Sequence, residues 1–134
     1  MVHALEQIHS LLTPGSFLID IHPSGELVEF ILLLEEGEQF LGHMQETDDY
    51  IEYRQADEAI ETVVSRGLFR IDELEEFEFL THADSFNELK TFLDENWSDA
   101  VIPDDVIASA KAYEKEVGEC KTILREKAIV RLLN

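Results

Sequence analysis

The chain has little sulfur and little positive charge, and each shortage argues against a class of protein. Cys120 is the single cysteine among 134 residues, so no internal disulfide can form, and a reduced, cytoplasmic protein is expected. No lysine or arginine precedes Arg54, and 10 basic against 30 acidic side chains give a net charge of −20. This charge repels phosphate backbones and anionic lipids, so we expect neither nucleic-acid nor membrane binding.

Long apolar runs are also missing. None approaches the ~20 residues that span a bilayer, and no basic segment precedes an apolar one near the start, so we expect no membrane helix and no signal peptide. The composition, 45% hydrophobic and 9% aromatic, is nevertheless that of a globular protein. A single domain over residues 1–134 is expected from this length.

The spacing of apolar residues predicts the first elements. Residues 3–12 have helical periodicity, and Thr13-Pro14-Gly15 ends that helix. Phe17–Ile21 is nearly all apolar, a pattern typical of a strand covered on both faces. His22-Pro23-Ser24-Gly25 is predicted to be a turn, and Leu27–Leu34 with Gln39–Gln45 a hairpin.

The second half is predicted to alternate helices and strands. Thr47-Asp48-Asp49 offers N-caps for a helix with apolar residues at spacings of three and four from Ala56 to Val64. A strand follows over Leu68–Thr81. Ser85 to Glu88 has the spacing of a capping box and predicts a further helix, whose apolar stripe is Phe86, Leu89, Phe92 and Leu93. The last predicted elements are a helix from Pro103 to about Val117, which Gly118 caps, and a strand over Lys121–Leu133.

Three segments carry a resemblance to a known family. Leu11-Leu12-Thr13-Pro14-Gly15-Ser16-Phe17-Leu18-Ile19 has a helix that ends in Leu-x-Pro-Gly and enters an apolar strand. Val63-Val64-Ser65-Arg66-Gly67-Leu68-Phe69 is a helix end before a strand, and Ile123–Leu132 is a final strand. In this order they resemble the second half of class I S-adenosylmethionine-dependent methyltransferases, from the fifth strand to the seventh. Leu27–Gln45 would then be an inserted hairpin.

The resemblance implies an α/β fold: a mixed, mainly antiparallel sheet like the second half of a Rossmann-like methyltransferase, with helices on its faces. The first strand is expected beside the last, and the last beside strand 68–81. The family's cofactor loop needs closely spaced glycines, but the six glycines, at 15, 25, 37, 42, 67 and 118, form no Gly-x-Gly. We therefore expect no cofactor, and S-adenosylmethionine only if a partner chain supplies the glycine loop.

The same resemblance suggests association with another chain. Without the family's first half, strand 16–22 would lack its parallel neighbour, and an unpaired apolar strand is a liability that proteins cover or pair. A homodimer, or a complex with a complementary protein chain, is therefore expected.

Candidate ligand-binding residues are His22, Tyr53 and Arg54. His22 follows a predicted strand at its carboxyl end, where α/β sheets place ligands, although a turn histidine bonded to backbone is the simpler alternative. Arg54 stands alone in an acidic half and suits an anionic group; an ion pair with Asp57 or Glu58 in the same helix is the alternative. Tyr53 is otherwise a half-buried helix residue.

No catalytic residue is predicted and no metal site is expected. The five histidines lack the spacing of zinc sites, and the acidic runs Glu35-Glu36-Gly37-Glu38 and Asp72-Glu73-Leu74-Glu75-Glu76 do not match an EF-hand loop. Solvated acids explain these runs. Gly-x-Ser-x-Gly is absent, and Cys120 is predicted to be a small buried or half-buried residue.

Three functions remain open from the sequence. The first is a non-catalytic methyltransferase-like module, dimeric, for protein interaction or small-ligand binding. The second is the C-terminal half of a split or truncated methyltransferase, active when a partner half completes it. The third is a metal-bound or hydrolytic enzyme unrelated to methylation, which only scattered acids and histidines favour.

Overall fold

The structure, a computed structural model, describes residues 1–48 and 50–134 and has a mixed α/β fold. Within these residues the four helices are α1 (Val2–Leu11), α2 (Ile51–Ser65), α3 (Phe86–Asn96) and α4 (Asp104–Val117). The strands are β1 (Leu18–Pro23), β2 (Glu29–Leu34), β3 (Gly37–His43), β4 (Gln45–Glu46), β5 (Ile71–Ala83), β6 (Ala100–Val101) and β7 (Thr122–Leu133). The predicted element order is observed, with the two-residue strands β4 and β6 in addition.

Strand pairing is mainly antiparallel, as expected. β7 pairs with β1, β2 and β5, and β2 also pairs with β3. The ladders β1–β7, β2–β7, β2–β3 and β4–β6 are all antiparallel. The first strand therefore lies beside the last, and the last beside the long strand in the middle of the sequence. Among the described residues, no helix has the length and apolar character that crossing a membrane requires.

The backbone of the described residues divides into two compact units. The first unit comprises Met1–Gly25, Tyr50–Phe77 and Lys127–Asn134; the second comprises residues 26–48 and 78–126. Two strands, β5 and β7, contribute to both.

The core of the first unit lies between two helices and the β1–β7 ladder. Helical spacing gives α1 and α2 one apolar face each, and these faces pack on the side of the ladder that carries Leu18 and Leu133. The buried members of this core are Leu5, Ala59, Ile60, Val63, Phe69 and Leu133. The apolar spacing read from residues 56 to 64 therefore identifies the buried side of α2 correctly.

β1 is covered on one face only, so the prediction of cover on both faces was wrong. Its side chains alternate between half-buried and exposed, and the apolar residues Ile19 and Ile21 are 53% and 62% exposed. The turn predicted at His22 also begins too early, because His22 and Pro23 still pair with β7. A proline is tolerated there because it ends the strand.

The second unit is built around the β2–β3 hairpin. Its buried side chains come from the hairpin, from helices α3 and α4 and from the first part of β7. The ladder shifts register between Phe30 and Ile31, which leaves Leu41 as an extra, buried residue on β3. Next to it, Gly42 has φ +150° and lies so close to α4 that a Cβ there would be 2.6 Å from Cγ2 of Val106.

The N-cap predicted from the sequence is correct for α3 but not for α2. At α3, the Ser85 hydroxyl accepts from the Glu88 amide, as in a capping box, but the Glu88 carboxylate accepts from the Asp84 amide instead of the Ser85 amide. At α2, the N-cap is Tyr50, with φ 58° and no side-chain cap bond, rather than Thr47 or Asp48. Asp49, the third predicted cap, lies outside the described residues.

Candidate functional site

The first unit contains a compact group of charged side chains, which we call the His22 cluster: Asp20, His22, Asp57 and Arg131. Alternation along β1 places Asp20 and His22 on the same face, the one that α2 covers. The antiparallel register sets Asp20 opposite Arg131 on β7. Asp57 reaches the group from the second turn of α2. Three elements therefore converge on one partly buried imidazole.

Both ring nitrogens of His22 face carboxylates. Nδ1 lies 3.1 Å from Oδ2 of Asp20, and Nε2 lies 3.1 Å from Oδ1 of Asp57. Carboxylates accept hydrogen bonds and do not donate them, so in each contact the ring nitrogen is the donor when it carries a proton.

Arg131 links the same two carboxylates. Its Nη1 donates to Oδ2 of Asp20 at 3.0 Å, and its Nη2 donates to Oδ1 of Asp57. The Arg131 side chain is 9% exposed, so these ion pairs are among the least hydrated in the first unit. Charge-assisted bonds of this kind fix the relative placement of β1, β7 and α2.

The chemistry available to this group is limited by its own bonds. A general acid or base needs a nitrogen directed at a substrate. Here each nitrogen of His22 is within hydrogen-bond distance of a carboxylate, and Nε2 also lies 3.4 Å from Nη1 of Arg131. The His22 cluster therefore acts as an electrostatic clasp between elements rather than as a reactive centre.

The three predicted ligand-binding residues lie on the elements that build this group, but they have different roles. His22 is inside it, which overturns the alternative of a turn histidine bonded to backbone. Tyr53 is half-buried on α2, four residues before Asp57, and its Cβ would be 3.5 Å from a Cβ at Gly25. The Arg54 side chain is exposed to solvent.

Asp57 and Arg131 were not identified from the sequence as members of a site. Their partners are 35 to 111 residues distant, so no local spacing reports the contacts. One local signal existed for His22 and Asp20: two polar residues separated by one position within an apolar strand point to the same face.

Other charged side chains form ion pairs or are exposed to solvent. In the second unit, Arg125 binds both carboxylate oxygens of Glu38 at 2.8 and 2.9 Å and approaches Glu29 and Glu78. Glu35 and Glu36 are exposed, as solvated acids should be. Over residues 1–48 and 50–134, no group of three or more His, Cys, Asp or Glu side chains is arranged to hold a metal ion.

A cleft of about 450 Å³ in the second unit is large enough for a small molecule. Leu33, Val117 and the buried Cys120 supply apolar lining, and Glu35 and Lys121 carry opposite charges at its edge. The burial of Cys120 is as predicted. This cleft is where a small ligand would fit, but it holds none of the three predicted ligand-binding residues.

Glu126, in the second unit, supplies a pH-dependent prediction. Burial raises the pKa of its carboxyl, and the negative charge of Glu46 raises it further. A carboxyl whose pKa is higher in the folded state stabilises the fold when it is protonated. This contribution to stability is complete below the pKa of the unfolded state, and it is lost as the pH rises through the pKa of the folded state. Glu126→Gln should therefore raise the free energy of unfolding at neutral pH and leave it unchanged in strong acid. Urea titrations of both proteins at the two pH values measure this, and a variant that is less stable at neutral pH would contradict it.

Comparison of the chain with known protein families, with curated proteins and with solved structures finds no match in any of the three.

Proposed function

We propose that this chain is a non-catalytic, methyltransferase-like interaction module that forms a homodimer through the outer face of β1. The methyltransferase part of this proposal rests on the Leu-x-Pro-Gly segment and the two further segments that resemble that family. The dimer rests on the surface of the first unit.

The observation that carries the proposal is an apolar row on β1, made of Ile19 and Ile21, whose side chains are 53% and 62% exposed; Phe17, just before the strand, is 59% exposed. The row lies on the face opposite the His22 cluster. Ile19 and Ile21 pair with Leu132 and Val130 of β7, which are half-buried and extend the apolar surface. Contiguous exposed apolar residues of this kind mark association sites.

The row suits a second copy because it carries no charge. Two molecules of net charge −20 repel each other, so the contact between them must avoid carboxylates. The alternation of β1 achieves this, since Asp20 points to the covered face and bonds Arg131. Salt screens the remaining repulsion without weakening apolar contact.

We expect sedimentation velocity to show a dimer at micromolar concentration, with tighter association in high salt than in low salt. Ile21→Lys should give a monomer, because it places a cation in the apolar row of each copy. The matched control is Ile51→Lys, the same change at an isoleucine that is 43% exposed on α2. A wild-type protein that stays monomeric in both salts, or two variants that behave alike, would contradict the proposal.

The second candidate is the C-terminal half of a split or truncated methyltransferase. One observation favours it: in the described part of the chain β1 pairs with β7 alone, so its other edge has room for a parallel strand from a partner. In that case the chain alone is monomeric, and S-adenosylmethionine binds after a partner with a Gly-x-Gly loop is added. Calorimetry with S-adenosylmethionine and the chain alone should give no heat under either candidate. Binding by the chain alone at sub-millimolar concentration would contradict both.

A further inference from the structure

The first seven residues of β5, Ile71–Phe77, form an exposed strand edge in the first unit. Every residue in this segment is exposed. β5 pairs with β7 on one side, and within the described residues no strand pairs with its other side. A strand edge of this kind presents unpaired N–H and C=O groups at every second residue, which is a template for a further strand.

The side chains of this edge specify the chemistry of what binds there. Ile71–Phe77 contains three apolar residues and four acids, and it has no basic residue. Alternation puts Glu73 and Glu75 on the same face as Ile71 and Phe77. The segment therefore combines an apolar contact at each end with negative charge between them.

Three of the four acids in this segment remain available for a partner, and the fourth, Asp72, is already bonded. Arg70 and Asn134 both bond the Asp72 carboxylate, and the hydrogen bond from Arg70 is the main cause of the lowered pKa of Asp72. By contrast, Glu73, Glu75 and Glu76 form no ion pair with any described residue. Three carboxylates without a counter-charge thus lie along one exposed edge.

This charge excludes a second copy as the partner. Two β5 edges paired with each other would bring acids opposite acids, and like charges across a strand pair are destabilising. Opposite charges in that position are stabilising. The complementary partner is therefore an extended segment that alternates basic and apolar residues.

We propose that Ile71–Phe77 binds an extended, lysine- or arginine-rich segment of another protein, which adds to β5 as a further strand. Backbone hydrogen bonds supply the alignment, and the free carboxylates of Glu73, Glu75 and Glu76 select basic side chains. This edge and the apolar row of β1 belong to different strands.

Fluorescence anisotropy with a short labelled peptide that alternates lysine and valine tests the proposal. Glu73→Lys/Glu75→Lys should weaken binding by about tenfold or more, because two attractions become repulsions. The matched control is Glu58→Lys/Glu61→Lys, which makes the same charge change at two exposed positions on α2. Equal binding by the two double variants would show attraction to the overall charge alone and would overturn the proposal.

Two further measurements keep the test independent of folding. The same peptide with alternate amides N-methylated keeps its charge but cannot pair as a strand, so it should bind the wild-type protein about tenfold more weakly. Hydrogen exchange of the wild-type protein should show new protection within 71–77 when the unmodified peptide is added. Absence of protection, or equal affinity of both peptides, would overturn strand addition. A concentration-dependent dimer that the β5 variant loses and the α2 variant keeps would show a second copy on this edge, which also overturns the proposal.

Discussion

Arg131→Met is expected to lower the free energy of unfolding by about 2–4 kcal/mol. Removal of the guanidinium leaves Asp20 and Asp57 with one fewer cation in a site where the Asp20 side chain is 15% exposed. Breaking a buried ion pair costs about 3–5 kcal/mol, and the partial exposure of Asp57, at 30%, reduces that figure. Urea-induced unfolding followed by circular dichroism measures the loss.

The matched control for this prediction is Arg66→Met. Arg66 also bonds a carboxylate, that of Glu6 at 2.6 Å, but its side chain is 53% exposed. Exposed ion pairs contribute about 0–1 kcal/mol, so this variant should be close to the wild-type protein. Adding Asp57→Asn to Arg131→Met should recover part of the loss, since it removes one of the stranded charges. If both arginine variants lose equal stability, the His22 cluster is not the clasp described above.

Gly42→Ala is expected to lower the free energy of unfolding by about 2–4 kcal/mol. A methyl group at this position meets Cγ2 of Val106 at 2.6 Å, and Val106 is a fully buried residue of α4. The φ of +150° adds strain, because residues with a Cβ rarely adopt it. Thermal and urea unfolding of the variant measure the sum of the two effects.

Gly37→Ala separates these effects. Gly37 has a comparable φ of +136°, but a Cβ there meets nothing within 4 Å, so its substitution costs the backbone component alone. That component should be about 1–3 kcal/mol. In the Gly42→Ala background, Val106→Ala should cost less than it does in the wild-type protein because it relieves the clash. Equal losses at Gly42 and Gly37 would contradict the close packing of β3 against α4.

Local patterns were sufficient to predict most elements. The apolar spacing of α2, the hairpin around Glu35-Glu36 and the N-cap at Ser85 are read from residues that are neighbours in the sequence. Each depends on short-range geometry, which a single sequence reports directly. The pairing of the first and last strands was expected from the family resemblance and is present in the structure.

The site was less predictable, because its contacts join residues distant in sequence. His22 was identified, but the residues that bind its nitrogens were not, since Asp57 is on another element. The difference between the two faces of β1 was also not predicted. Phe17–Ile21 is apolar except for Asp20, and only the packing of the folded chain shows which face is covered and which is exposed. Tyrosine is not among the residues preferred at N-caps, so Tyr50 could not be predicted as the N-cap of α2.

The β1–β7 ladder has a consequence for how the protein is made. Leu18 pairs with Leu133, so β1 cannot form its ladder until β7, more than a hundred residues later in the chain, has been translated. At roughly 5–20 residues per second, the wait on the ribosome is about 5–20 s. Throughout it, an apolar β segment has no intramolecular partner, so chaperone capture is expected to matter more for the nascent chain than for the finished protein.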